Sequence, residues 1–490
     1  MNLGDLFAFA FQEKRDCVGL EYETADHDFV AVTFGELDTR AGKMLHALLR
    51  RGVRRGDRVC VQLPNGIDYL DLFLACSRLG AIFVPINVLY REREVGHIVH
   101  DAQPALAVAP AAALPTFPGG TPLVAMESLA AEAADLDPMG VPARLPGSEP
   151  AAIVYTSGTT GRAKGAVLTH DNFVANSVNL MACWRITSED RYLAVLPLFH
   201  VHGLANGLVT WLAAACRMRL LQRFRHERAA HDLVDFGPTL FFGVPTIYVR
   251  LLELPAATAR LIGARMRLFV SGSAPLPPRV LEAFRTLYGH TILERYGMTE
   301  TLMLMSNPYL GERRAGSVGF PLPGVTVRLA DADGSVVAEG EVGEVQVRGP
   351  TVFAGYWNDE EATASSFVDG WFRTGDLARC SADGYYTLCG RTSELIICGG
   401  FNVYPREIED FLLEQTGVIE AAVVGVPDEV KGQVPVAYVV GGPDVDPDAL
   451  QRACAATFAP FKVPRVIHKV SSLPRNAMGK VLRQDLAGSR

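Results

Sequence analysis

Tyr155-Thr-Ser-Gly-Thr-Thr-Gly-Arg-Ala-Lys-Gly-Ala-Val-Leu-Thr-His170 is the stretch on which the fold of this chain turns. Ala151 to Tyr155, with Ile153 and Val154 at its centre, predicts a short buried strand. The strand runs into a loop where Thr156, Ser157, Thr159 and Thr160 offer hydroxyls. Gly158, Gly161 and Gly165 let the backbone take positive φ and approach a ligand closely. Bare backbone N–H groups beside those hydroxyls make a concavity suited to an oligophosphate, and Lys164 adds a point charge. This is not a Walker A motif, in which the lysine directly follows a glycine and the loop leads into a helix. Lys164 comes three residues after Gly161 and is followed by Gly165.

Outward from this loop, strands and helices alternate. Arg58 to Leu63 reads as a strand ending at Pro64-Asn65, Ile67 to Leu79 as a buried helix and Ala81 to Ile86 as a second strand. Such βαβ units imply a parallel sheet with helices on its faces. A helix begins at Thr33-Phe-Gly-Glu-Leu37 and runs through Leu49. Ala105 to Ala109 is a strand, and the Ala, Pro and Gly-rich text up to Pro150 reads as a strand or two joined by loops. Beyond the loop, helices are expected at 170–183, 203–215, 226–236, 246–254 and 277–288. Strands are expected at 192–196, 217–221, 239–244, 267–270 and 291–295. From Gly319 to Gly349 the period switches to two, which predicts a β-rich subdomain. After Arg391 the pattern becomes that of a small α+β domain.

With 490 residues the chain is too long for one core, so at least two domains are expected. The formal net charge of −8 argues against nucleic acid as a partner. Nine scattered cysteines, none in Cys-x-x-Cys spacing, give neither a disulfide framework nor a zinc site and fit a reducing cytoplasm. The N-terminus has no basic n-region, and the longest apolar run, 203–216, is too short to span a bilayer.

Thr156-Ser-Gly-Thr-Thr-Gly-Arg-Ala-Lys-Gly165 resembles the phosphate loop of the adenylate-forming superfamily, which holds acyl-CoA synthetases, peptide-synthetase adenylation domains and luciferases. Further motifs extend the resemblance to the last residues. Glu294-Arg-Tyr-Gly-Met-Thr-Glu300 offers Tyr296 to stack on a purine, Gly297 for close backbone approach, Thr299 for a phosphate oxygen and Glu300 as a hard ligand for Mg²⁺. Gly370-Trp-Phe-Arg-Thr-Gly-Asp376 resembles the ribose clamp of the family, and Arg391 would hold ribose or phosphate. Ser271-Gly-Ser-Ala-Pro275 resembles the segment along adenine and substrate: Ser271 and Gly272 towards the acid, Ser273 and Ala274 towards the nucleotide. The resemblance further places Glu294, Arg295 and Met298 on the nucleotide, with Met298 also on the acid. In Leu196-Pro-Leu-Phe-His200-Val-His202, His200 and His202 follow a strand and should face the cleft. Lys480 in Leu473-Pro-Arg-Asn-Ala-Met-Gly-Lys480 matches the catalytic lysine, so Lys480, Thr156 and Glu300 carry the catalytic expectation.

The resemblance implies an AMP-binding domain over 1–390, a hinge at 391–393 and a mobile C-terminal domain over 394–490. Ser393 stands where the family usually has Asp or Lys, and Gly399-Gly400 would line a path for CoA. The implied activity is acyl-CoA formation from a carboxylic acid, ATP and CoA through an acyl-adenylate, with release of AMP and pyrophosphate. No carrier-protein segment follows residue 490, which favours a free-standing ligase. Two acid classes remain open. Ser306-Asn-Pro-Tyr and Gly311-Glu-Arg-Arg314 resemble malonyl-CoA synthetases, with Arg313 and Arg314 for a second carboxylate, on malonate or methylmalonate. Met303 and Met305 could instead line an apolar pocket for a fatty or aromatic monocarboxylic acid. A nucleotide-binding protein without catalysis is the remote alternative.

Overall fold

The computed structural model describes residues 1–140, 145–156, 163–475 and 481–487. Four sheets are present among the described residues. The nine-stranded sheet is parallel through Leu293–Met298, Leu268–Ser271, Leu240–Gly243, Arg191–Ala194, Arg217–Leu220 and Val18–Glu23. Antiparallel strands close both of its edges. The parallel strands are mostly buried, as expected when helices cover both faces. Chain order reverses at Arg191–Ala194: the next strand in sequence, Arg217–Leu220, lies on one side of it and Leu240–Gly243 on the other. Ligands bind at the carboxyl ends of strands beside such a switch.

The seven-stranded sheet contains the central loop. Pro150–Thr156 and Lys164–Thr169 form an antiparallel hairpin, with Thr156 opposite Lys164. The two described strands thus flank the opening motif on either side. Helices His170–Trp184, Ile67–Leu79 and His226–Phe236 lie where periodicity put them. Thr33 caps the helix Phe34–Arg50 with a reciprocal Glu36 bond, the arrangement that a Thr-x-x-Glu pattern favours.

Among the elements that differ from expectation are three helical segments. Residues 126–134 form a helix, Met126–Ala134, which packs Leu129 and Ala133 inward. Its alanines are helix formers that the Ala/Pro/Gly reading had assigned to loops. Ala256–Arg265 is another unanticipated helix. The expected helix over 203–215 is a π-helix, His202–Val209, continued by a short α-helix, Thr210–Ala214. Here Gly203 packs so closely that a Cβ would lie 2.2 Å from the Pro197 carbonyl oxygen. Widened turns of this kind are frequent at functional sites.

The β-rich subdomain pairs Thr326–Ala330, Gly343–Arg348, Trp371–Cys380 and Tyr386–Arg391. After a short turn at Thr392–Glu394 a separate sheet begins, with its own apolar cluster around Ile408, Val423 and Val439. The molecule is thus a large N-terminal α/β domain followed by a small α+β domain. No helix among the described residues is long and apolar enough to cross a membrane.

Candidate active site

A cavity of about 470 Å³ opens where the strand ends of both large sheets meet the β-rich subdomain. Thr156 and Lys164 reach it from the hairpin, and His200 and His202 from the end of Arg191–Ala194 and the start of the π-helix. Ser273 reaches it after Leu268–Ser271, and Arg295 with Gly297 to Glu300 from the strand Leu293–Met298 and its turn. Arg391, Thr392 and Ser393 come from the far wall. Residues separated by up to 237 positions are brought together here. Ser157, Gly158, Thr159, Thr160, Gly161 and Lys480 lie outside the described residues.

On one side of the cavity Glu300 is buried and accepts a bond from Tyr356 Oη at 3.0 Å. Burial raises its pKa, so it favours a nearby cation. No cluster of three or more His, Cys, Asp or Glu that could hold a metal occurs among the described residues. A lone carboxylate beside a phosphate-binding loop suits magnesium, which keeps waters and takes most of its remaining oxygens from phosphates. Lys164 Nζ lies 5.2 Å from the Tyr356 ring centre and 4.0 Å from Asp359. The helix Glu92–Ala102 braces both ends of the hairpin tip: His97 Nε2 donates to Ala163 O at 2.7 Å and Tyr155 Oη donates to Asp101 at 2.5 Å. Trp357 and Asn358 donate to the Asp101 carbonyl, which ties the segment bearing Tyr356 to the same helix.

Asp376 is not in the cavity wall. It accepts from Tyr296 Oη at 2.5 Å and from Arg391 Nε at 2.8 Å, behind Thr374 and Gly375. Its charge is the main cause that raises the Arg391 pKa. Glu294 also faces away: it accepts from the Leu276 N–H at 3.0 Å, and burial pushes its carboxyl up to about 7. Ala274 and Ser271 do not line the cavity, and Gly399 and Gly400 form an exposed turn in the small domain.

The acyl side departs most from expectation. Arg313 gives its donors to the carbonyls of Pro308, Thr291 and Tyr309, and Arg314 is held by Asp383 and Glu312 at the surface. Neither lines the cavity, because each is already satisfied by its own surroundings. Met303 and Met305 are fully buried within the strand Leu302–Ser306 and do not line it either. Arg295, which the resemblance had placed on the nucleotide, is the arginine that enters. It is 5 % exposed, and its Nε and Nη2 have no partner among the described residues. Burial lowers its pKa, although a guanidinium keeps its proton. Gly272 makes room for it: a Cβ there would lie 2.3 Å from Arg295 Cζ. Ser271 Oγ and His202 Nε2 are also buried without partners. His202 Nδ1 lies 3.1 Å from Ser273 Oγ, and its backbone N–H donates to His200 Nδ1, which puts the His200 proton on Nε2. Burial first and Arg295 second push His200 down to about 4 and His202 well below its ordinary value, so both rings are neutral. The sequence held a signal for Arg295: adjacent charged residues, Glu294 and Arg295, inside a buried strand need an explanation.

Comparison with known proteins identifies the family. The AMP-binding enzyme family matches residues 10–357 and its C-terminal domain matches 407–480. The chain is 37 % identical over 478 residues to the sulfoacetate–CoA ligase of Cupriavidus necator, covering 93 % of this chain and 92 % of that one. It is 36 % identical to the mitochondrial malonate–CoA ligase of Mus musculus, covering 93 % and 86 %. ATP-bound MatB from Rhodopseudomonas palustris superposes with a TM-score of 0.91 at 39 % identity, covering 99 % and 98 %; apo MatB gives 0.83. The chain belongs to the AMP-binding enzymes of the adenylate-forming superfamily and is an acid–CoA ligase of that group.

Proposed function

We propose that the protein joins a small acid bearing a second anionic group, with malonate or methylmalonate as the best fit, to CoA at the expense of ATP. The observation that carries this reading is Arg295, a buried guanidinium at the cavity wall with two donors unpaired. An isolated buried charge is costly, and a carboxylate can take two parallel N–H bonds from one guanidinium. Neutral His200 and His202 leave Arg295 as the cation of the acyl side. Both relatives named above act on acids with a second acidic group, which supports the same class.

The reaction takes two steps. A substrate carboxylate oxygen attacks the α-phosphorus of ATP, the bond to the bridging oxygen breaks and pyrophosphate leaves. The CoA sulfur then attacks the acyl carbon, AMP departs and the thiol proton passes to solvent. Thr156 and Lys164 would hold phosphate oxygens, and Lys480 would stabilise charge at the α-phosphate. Glu300 would hold magnesium, which when bound neutralises phosphate charge. The small domain would turn about Ser393 between the steps.

ATP-dependent pyrophosphate release with malonate, sulfoacetate, propionate, octanoate and benzoate tests the assignment. Malonate or sulfoacetate is expected to give the highest kcat/KM, with AMP as co-product. A preference for octanoate or benzoate would overturn the acid class, and ADP as product would overturn the mechanism.

A further inference from the structure

We propose that Asn206 is a specificity-determining hydrogen-bond donor of the acyl pocket, and that Asn176, outside the pocket, fixes which of its atoms faces the substrate. Asn206 sits on the π-helix, four residues after His202, and lines the same cavity. Its orientation follows from a relay of three elements. The Met303 backbone N–H, in the strand Leu302–Ser306, points at Asn176 Oδ1 at 3.1 Å. A backbone N–H can only donate, so the Asn176 oxygen must face it. The Asn176 amide nitrogen is then left to donate to Asn206 Oδ1, 3.0 Å away. Asn176 is completely buried on the helix His170–Trp184. With its oxygen engaged, Asn206 turns its NH₂ group to the cavity, and no other described group accepts from it.

The amide polarity of the pocket is thereby set by a main-chain donor two side chains away. A cavity lined by both the Asn206 NH₂ and the Arg295 guanidinium requires acceptor oxygens on the acid. A hydrocarbon tail would leave the Asn206 donor unsatisfied. This inference rests on the acid class proposed above and adds to it: the second group must be an acceptor at both Arg295 and Asn206, as a carboxylate or sulfonate is.

The test compares kcat/KM for malonate and for propionate, which lacks the second carboxylate. Asn206→Leu removes the donor and is expected to lower the malonate-to-propionate ratio by about ten- to a hundredfold. Asn176→Asp is the sharper variant. Its carboxylate can still accept from Met303 but cannot donate to Asn206, so Asn206 must rotate, donate to Asp and present its oxygen to the cavity. The ratio should fall, carried by KM for malonate, although residue 176 touches no substrate. A purely structural role would depress both acids alike. If Asn206→Leu fails to melt cooperatively, Asn206→Ala carries the same comparison. A wild type that prefers neither malonate nor sulfoacetate over propionate overturns the acid class and this proposal together. A wild type that prefers either, with its ratio to propionate intact in the folded variants, overturns the role of Asn206 alone.

Discussion

Arg295 lies within the strand Leu293–Met298 at the cavity wall and has two buried donors without a partner among the described residues, so replacing it should move two quantities in opposite directions. Arg295→Met is expected to cut kcat/KM for malonate by roughly two to three orders of magnitude, the usual cost of breaking a buried charged pair at about 3–5 kcal/mol. Without ligand, the same change removes an unpaired buried charge and should stabilise the fold by about 1–3 kcal/mol. Thermal unfolding with and without malonate checks this: the variant should melt higher when empty and gain nothing from the acid. A lower melting point when empty would show that the guanidinium has a partner. His170 gives a second residue-scale test. It is fully buried, accepts from the Leu3 N–H through Nδ1, and is pushed by burial down to about 4. Below pH 6.5 the unfolded chain takes up a proton that the folded ring refuses until about pH 4. The contribution of His170 is therefore present above 6.5 and lost as pH falls, by about 3 kcal/mol in all. His170→Asn, whose Oδ1 can replace the Nδ1 acceptor, should lose less stability than wild type between pH 7 and pH 4.5 in denaturant titrations. Parallel losses would contradict the assignment. These two residues also mark where sequence reading stops at this scale. The adjacent pair Arg313-Arg314 looked like an anion receptor, but nothing in their order reveals that loop carbonyls and Asp383 already hold them.

The hairpin that carries the phosphate loop is held at both ends by one helix, Glu92–Ala102. His97 fixes the residue just before Lys164, so its loss should loosen the grip on triphosphate. His97→Ala is expected to raise KM for ATP about two- to tenfold, the worth of one ordinary hydrogen bond, with a smaller change in KM for the acid. An unchanged KM for ATP in the pyrophosphate assay would show that the loop holds its shape without this brace. Elements of this kind were legible where burial and period agreed: Ile67–Leu79 and His226–Phe236 begin and end where the pattern does. The pattern failed where one signal was missing. Leu302–Ser306 is buried on both faces and shows no alternation, so it read as pocket lining rather than strand. Nothing in the 202–209 sequence distinguishes a π-turn from an α-turn, although Gly203 packs closely on the Pro197 carbonyl.

The two domains touch beyond their link. Arg279, on the helix Pro278–Tyr288, donates to the Val418 and Ile419 carbonyls of the small domain. A turn of the small domain about Ser393 would have to break these bonds. Ser393→Pro, which restricts φ within the short turn Thr392–Glu394, should slow thioester formation from supplied acyl-adenylate more than it slows adenylation. Equal slowing of both half-reactions in single-turnover experiments would remove Ser393 from the hinge.

The first long strand, Val18–Glu23, pairs in parallel with Arg217–Leu220, and the pairing is sealed by buried ion pairs of Glu21 with Arg219 and of Glu23 with Arg225. On the ribosome the partner strand emerges roughly 200 residues later, which at about 5–20 residues per second is a wait of roughly 10–40 s. Through that interval the nascent strand exposes an unpaired edge, the kind that seeds aggregation. Glu21 and Glu23 keep it charged and soluble until their arginines arrive. The ion pairs of the finished sheet thus act earlier as gatekeepers of synthesis, and neutralising both glutamates should cost yield in cells before it costs activity in the purified enzyme.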